Sequence, residues 1–335
     1  MDESDNNTMT LKRLIDVKTL GEVLKKGYIN REGIRLIDCT YMPTAKPDYK
    51  EFKEKHYGKF EALMARDSAH KKLYLASRIP ESIFADMDVA MYPGRYQRFS
   101  LYEPEVFEQY VQLLGINKGE QLIFYGRGAF GGMLFASRMA MLFKAYGHDK
   151  FSLLDGGFDY WKSQGNKVDT SVNPVQFKRG DWKATDNMQI NITFEELEKK
   201  DSEGKDMIDH PEKTNFLDAR IRAQFDGRED TGLDPYKVEG SFVPGFKNVP
   251  AAELVGDDGL IKPPNAIKEL LEAGGYDKSK PTITSCNTGM QASMLAFVME
   301  NVYPETNVRV FNGSMKEMEA RDPKRISGGA GHLKA

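Results

Sequence analysis

The chain has 335 residues, enough for two ordinary domains, with apolar and charged fractions of 40% and 29% that fit a folded globular protein rather than a disordered one. A formal net charge of -3 with no long Lys/Arg block removes the electrostatic case for nucleic acid, and no apolar run reaches membrane-spanning length. Two cysteines far apart in sequence exclude a disulfide framework and a four-ligand zinc spacing.

The N-terminal MDESDNNTMT is acidic and polar, without the apolar core of a secretory signal or the Arg-rich character of a transit peptide. With free thiols, this points to a reducing cytoplasm. IRLIDCTYM (34–42) then reads as a buried strand entering a loop. The Lys-rich stretch 48–72 reads as a helical insertion. RIPESIFADMD (78–88) is a Pro-bearing turn before a short extended segment. QLIFY (121–125) is strand-like and leads through GRGAFGG into the apolar helix MLFASRMAMLFKAYG; FSLLDGGFDYW (151–161) is a strand with an Asp-Gly turn. The polar segment 164–188 has little periodicity and reads as a linker.

Beyond it the same series returns. NFLDARIRAQF (215–225) repeats IRLIDCTYM, FVPGFKNVPAAEL (242–254) repeats the Pro-bearing turn, and PTITS (281–285) repeats QLIFY. CNTGMQ and the helix ASMLAFVMENV follow, then VRVFNGSMKEM (308–318). The spacing of matched points falls from 180 residues (Asp38 to Asp218) to 157 (Gly156 to Gly313), so the first copy carries the extra length, chiefly 48–72. Strands alternating with helices predict α/β architecture: two copies of one domain, each a mostly parallel β-sheet flanked by helices on both faces. The expected boundaries are 10–163, a linker 164–188, and 189–326.

Cys286 ends a predicted strand, and Cys286-Asn287-Thr288-Gly289-Met290-Gln291 returns the chain to a helix. At such a junction backbone N–H groups without helical partners converge, and the helix dipole adds positive potential. A thiolate is favoured there, with a lowered pKa and raised nucleophilicity, and Gly289 permits backbone angles a side chain resists. A cysteine at a strand end is more often a small buried apolar residue, and it is the loop that shifts the balance. Cys39 also follows a strand but lacks the Gly-bearing loop and helix, and is expected to be structural. In the rival C-x5-R phosphatase loop an arginine closes the ring; that position is Ala292, which argues against phosphatase chemistry.

These pieces together resemble the tandem-domain sulfurtransferases, the rhodanese and mercaptopyruvate sulfurtransferase family. LLDGGFDYW is similar to its DGG-x-x-x-W signature, with KAYGH (144–148) before it, LDAR (217–220) in the second half and CNTGMQ in place of its six-residue active loop. The resemblance covers almost the whole chain. It implies two rhodanese-like domains and a ping-pong cycle in which Cys286 takes sulfane sulfur from a small-molecule donor and passes it to a thiol or cyanide acceptor, a thioredoxin-like protein included, with no cofactor and no metal. The first half, with Gly126-Arg127-Gly128 where a cysteine is needed, is implied to be non-catalytic. Neutral Asn287 and Thr288 match members that use 3-mercaptopyruvate better than those that use thiosulfate. Arg220 of LDAR matches a substrate-binding arginine of the family, although pairing with Asp218 is an equal reading.

The chain departs from the family at three points: Thr288 replaces a serine, Arg78-Ile79-Pro80-Glu81 replaces His-Ile-Pro-Gly, and Gln224 replaces a second arginine. Arg78 is therefore expected to pair with the donor's anionic group. A second reading from another class follows from the same departures: a diverged binding or persulfide-carrier protein that keeps the fold and the cysteine.

Overall fold

Helices and strands alternate along both halves, and the strands gather into two parallel sheets. The computed structural model describes residues 10–329; the first nine residues and most of the C-terminal GGAGHLKA, expected to be a flexible tail, lie outside them. That tail's first residue, Gly328, is bridged to Phe242. The first half runs β1 (Leu14–Ile15), α1 (Val17–Lys25), β2 (Ile34–Asp38), α2 (Tyr49–Lys55), α3 (Phe60–Ala65), α4 (Ala69–Ala76), β3 (Ile83–Phe84), α5 (Met87–Ala90), α6 (Pro104–Leu113), β4 (Gln121–Tyr125), α7 (Met133–Ala145), β5 (Phe151–Leu154) and α8 (Gly157–Ser163). The second runs β6 (Asn191–Ile192), α9 (Phe194–Leu197), β7 (Asn215–Asp218), α10 (Arg222–Phe225), β8 (Lys247–Asn248), α11 (Pro264–Ala273), β9 (Thr282–Ser285), α12 (Met290–Val302), β10 (Val308–Phe311) and α13 (Ser314–Arg321).

The sheet orders are β1-β5-β4-β2-β3 and β6-β10-β9-β7-β8, the same order twice, with every pairing parallel. A parallel sheet covered on both faces has strands buried throughout. β2, β4, β5, β7 and β9 are buried at every position, which explains why they read as continuous apolar or β-branched runs. The insertion 48–72 forms α2, α3 and the start of α4 rather than one helix. Asp48 and Ser68 cap α2 and α4 through Glu51 N–H and Lys71 N–H, and Gly58 at φ +71° breaks the chain between α2 and α3.

The linker is strapped down rather than loose. Trp182 is buried and donates from Nε1 to His148 Nδ1 at 3.0 Å, Gly180 N–H bonds Gln112 O, and Asp169 exchanges two backbone bonds with Arg78. The two halves also share one core: α7 and α12 lie against each other, and their buried residues join a single apolar cluster. Packing of this kind places Arg138, in the middle of α7, beside Ser293 in the first turn of α12.

Candidate active site

Each sheet ends in the same construction, and the two ends differ in what fills it. Cys39 N–H bonds Tyr125 O at 2.8 Å, and Ala219 N–H bonds Ser285 O at 2.8 Å, so both loops leave equivalent strand ends. In the first half Arg127 occupies the loop. Its guanidinium pairs with buried Asp38 at 3.0 Å and also reaches Thr40 Oγ1 and Ser77 O. Cys39 is fully buried, and burial pushes its thiol well above the ordinary range, so it stays protonated and inert.

In the second half Cys286 follows β9 directly. Its N–H donates to Ser314 Oγ at 3.0 Å, and its carbonyl accepts from Met315 N–H at 2.9 Å, tying the residue to the start of α13. Ser314 holds a positive φ of 50°, unusual for a residue with a side chain, while its hydroxyl donates to Phe311 O at 2.6 Å. Gly289 N–H points at Cys286 Sγ at 3.1 Å. Gly289 sits at φ +89°, and a Cβ there would lie 2.7 Å from Asn312 O, so only glycine fits.

The remaining loop residues divide by role. Asn287 Nδ2 donates to Thr231 O at 2.9 Å, which fastens the segment after α10 over the loop; a Cβ on Gly232 would meet that same nitrogen at 2.9 Å. Thr288 is half-buried, and its hydroxyl has no protein partner among the described residues. Met290 faces the core, and Gln291 is half-buried at the first turn of α12. Asn287 Oδ1 and Gln291 Oε1 are buried without hydrogen-bond partners, leaving two acceptor oxygens in the loop. Cys286 itself is 2% exposed.

Both arginines expected to bind a donor are held by carboxylates of the chain itself. Arg220 is fully buried, and its guanidinium grips Asp218, with 2.6 Å from Nη2 to Oδ2, and also Ser241 O. Its Nη1 is buried without a hydrogen-bond partner. Arg78, 1% exposed, pairs with Asp169 at 2.9 Å and donates to Ser171 O and Leu75 O, locking the linker onto the first half. Each guanidinium is buried against a resident carboxylate, Asp218 and Asp169 respectively. Gln224 donates to Asp230 O in the covering segment.

Two contributors to the site carried no signal that the motif reading used. Ser314 lies inside an ordinary Asn-Gly turn. Arg138, buried in α7 of the other half, donates to Ser293 Oγ at 3.2 Å and to Asn312 Oδ1, both beside the Cys286 loop. A charged residue within the apolar run MLFASRMAMLF was the sign available. His70, Asp86 and Asp88 form a separate group whose ligand-type atoms approach within 4.8 Å. Arg98 and Tyr41 already bind Asp88, Asp88 N–H binds Asp86, and His70 Nε2 lies 3.0 Å from Asp86 Oδ1, while His70 Nδ1 is buried without a partner.

The profile of the rhodanese-like domain matches residues 22–164. A Caenorhabditis elegans protein, provisionally named thiosulfate sulfurtransferase mpst-1, is 52% identical over 97% of this chain and 99% of its own length. The 3-mercaptopyruvate sulfurtransferase of Rattus norvegicus is 27% identical over 96% of this chain and 97% of its own. The crystal structure of SseA from Escherichia coli, described with the 3-mercaptopyruvate sulfotransferases, superposes with a TM-score of 0.69 across 91% of this chain and 99% of that one. At 22% identity that last likeness is one of fold.

Proposed function

Because this chain belongs to the rhodanese family of sulfurtransferases, we propose that Cys286 is its sulfur carrier and that 3-mercaptopyruvate is its preferred donor. The observation that carries the reading is the Gly289 N–H held 3.1 Å from Cys286 Sγ at a strand-to-helix junction, against a sealed and cysteine-free loop in the first half. The catalytic unit is then residues 189–326, and residues 10–163 form the non-catalytic one.

In the cycle, the Cys286 thiolate attacks the donor's sulfur. The carbon–sulfur bond breaks, its electron pair leaves as the pyruvate enolate, and the enolate takes a proton. Cys286 now holds a persulfide. A thiolate or cyanide attacks the outer sulfur, the S–S bond breaks, and the Cys286 thiolate returns. Thr288, two residues after the cysteine and with an unpartnered hydroxyl, is the residue we assign to hydrogen-bond donor or persulfide. Neutral Asn287 and Thr288, with carbonyl oxygens of Asn287 and Gln291 left as acceptors, suit a monoanionic donor better than the thiosulfate dianion. A small thiol or a thioredoxin-like protein is the acceptor that a reducing, cytoplasmic setting would supply; two free thiols fit that setting, and no helix among the described residues is long and apolar enough to cross a membrane.

The test is the intact mass of the protein after incubation with 3-mercaptopyruvate, and separately with thiosulfate. The expected result is a gain of one sulfur, faster with 3-mercaptopyruvate and absent in Cys286→Ser. No gain with either donor in folded, reduced protein would overturn the reading in favour of a binding role.

A further inference from the structure

Helix α7 places one guanidinium in a dry interface. Arg138 is 2% exposed, and no carboxylate pairs with it among the described residues. Its donors reach only neutral atoms: Ser293 Oγ, Asn312 Oδ1 and Met91 Sδ, with Nε left unpartnered. A buried cation with no counter-ion is among the costlier arrangements in a protein interior. Such a group persists where an anion exists for part of the time.

The anion within reach is the one formed at Cys286. Arg138 donates to Ser293 Oγ; Ser293 Oγ donates to Gly289 O at 2.8 Å; Gly289 N–H donates to Cys286 Sγ at 3.1 Å. A second arm runs through Asn312, whose carbonyl is the atom that confines Gly289 and whose Nδ2 is held by Gln97 Oε1 and Phe99 O of the first half. Burial draws the Arg138 guanidinium down to about 10, and the Cys286 charge acts in the opposite sense, so it remains a cation at neutral pH. The other charged residues next to the loop are spoken for: Glu317 by Gln97 and Arg321, Lys316 by Glu319. Tyr146, the remaining titratable neighbour of Arg138, donates its hydroxyl to Tyr102 O.

We propose that Arg138 is a positioning residue of the sulfur-transfer site: the first half lends the second a buried cation that stabilises the Cys286 thiolate and persulfide and fixes Gly289 beneath the sulfur. This rests on the reading of Cys286 as sulfur carrier. It gives the half whose loop lacks a cysteine a chemical role.

The experiment titrates the Cys286 thiolate by its ultraviolet absorbance, taking full-length protein minus the Cys286→Ser protein at each pH. In Arg138→Gln the curve is expected to move alkaline by about one pH unit, roughly tenfold less thiolate at a fixed lower pH. Arg138→Lys, which keeps the charge, is expected to return most of that shift, which a purely packing role would not do. Coincident curves for folded Arg138→Gln and the unaltered protein would overturn the proposal. If Arg138→Gln does not fold, the guanidinium resonances of the unaltered protein decide it by NMR: the Arg138 signal must move as Cys286 ionises, and a stationary signal overturns the proposal. Neither readout needs sulfur transfer, so failure here is separable from failure of Cys286 to take up sulfur.

Discussion

Gly289 is where one residue carries most of the geometry. Its φ of +89° orients an N–H at Cys286 Sγ, and Asn312 O stands 2.7 Å from where a Cβ would be. Gly289→Ala is therefore expected to cost about 1–3 kcal/mol through the strained φ and the forced displacement of a backbone carbonyl. A lowered urea midpoint together with slower sulfur uptake checks it; an unchanged midpoint would show that the loop tolerates a side chain. The two cysteines separate by the same kind of local argument. Cys39 is sealed with its thiol held protonated, so mild alkylation of native protein is expected to spare Cys39 and to label Cys286 as its covering segment opens. Peptide mass mapping distinguishes the two, and modification of Cys39 at a comparable rate would contradict the structure. Legibility at this scale was uneven. Cys286 and Gly289 stood out because strand, loop and helix follow one another without interruption. For Arg220 the sequence already offered its carboxylate, Asp218 two residues away, whereas the Arg78 partner, Asp169, lies 91 residues further along the chain and left no sign.

At the scale of elements, the buried strands and long apolar helices were readable, since parallel strands covered on both faces leave continuous apolar runs. The edge strands β1, β3, β6 and β8 span two residues each and leave no periodicity to read. The linker shows a further limit. It looked featureless because its contacts are backbone bonds, one tryptophan and scattered polar pairs such as Asp169 with Arg78 and Lys183 with Glu108, and none of these imposes a period. Trp182 Nε1–H donates to His148 Nδ1, while the other ring nitrogen donates to Lys150 O, which fixes a neutral imidazole. Burial is the main cause that pulls the His148 pKa below its ordinary value. The folded protein then takes up this proton later than the unfolded chain does. Stability from this contact is full above the unfolded value of about 6.5 and is lost as pH falls through the depressed folded value. His148→Gln, which keeps an acceptor for Trp182 but cannot titrate, is expected to lose less stability than the unaltered protein between about pH 7.5 and pH 5. Thermal midpoints at both pH values check this, and parallel falls in the two proteins would assign the acid sensitivity elsewhere.

For the whole molecule, the interface between halves joins a repeat in which only the second loop opens on a cysteine. The first half contributes Arg138, Gln97 and Phe99 to the walls of the Cys286 loop, and the second half returns a contact to the first: Ile261 N–H donates to Asp155 Oδ1 at 2.9 Å. Asp155 belongs to the DGG turn that marked the repeat, so a signature legible in sequence turns out to be part of the seam. Burial is the main cause that raises its pKa to about 6, with nearby Asp258 adding to it and the Ile261 bond opposing it. The sign follows from that direction. Between the unfolded value near 3.8 and the folded value of about 6 the native protein holds the proton more tightly, so this group's contribution is full at low pH and is lost as pH rises. Above it, the seam carries an ionised carboxylate that is only partly hydrated. Asp155→Asn keeps the carbonyl that accepts from Ile261 and removes the charge. It is expected to gain about 1–2 kcal/mol relative to the unaltered protein on going from acid to neutral pH, a figure discounted for the exposed part of the side chain. Urea midpoints of the two proteins at about pH 4 and pH 7.5 measure that difference. A gain that does not grow with pH would mean that the carboxylate is well solvated, and that the Ile261 bond stabilises the seam in either charge state.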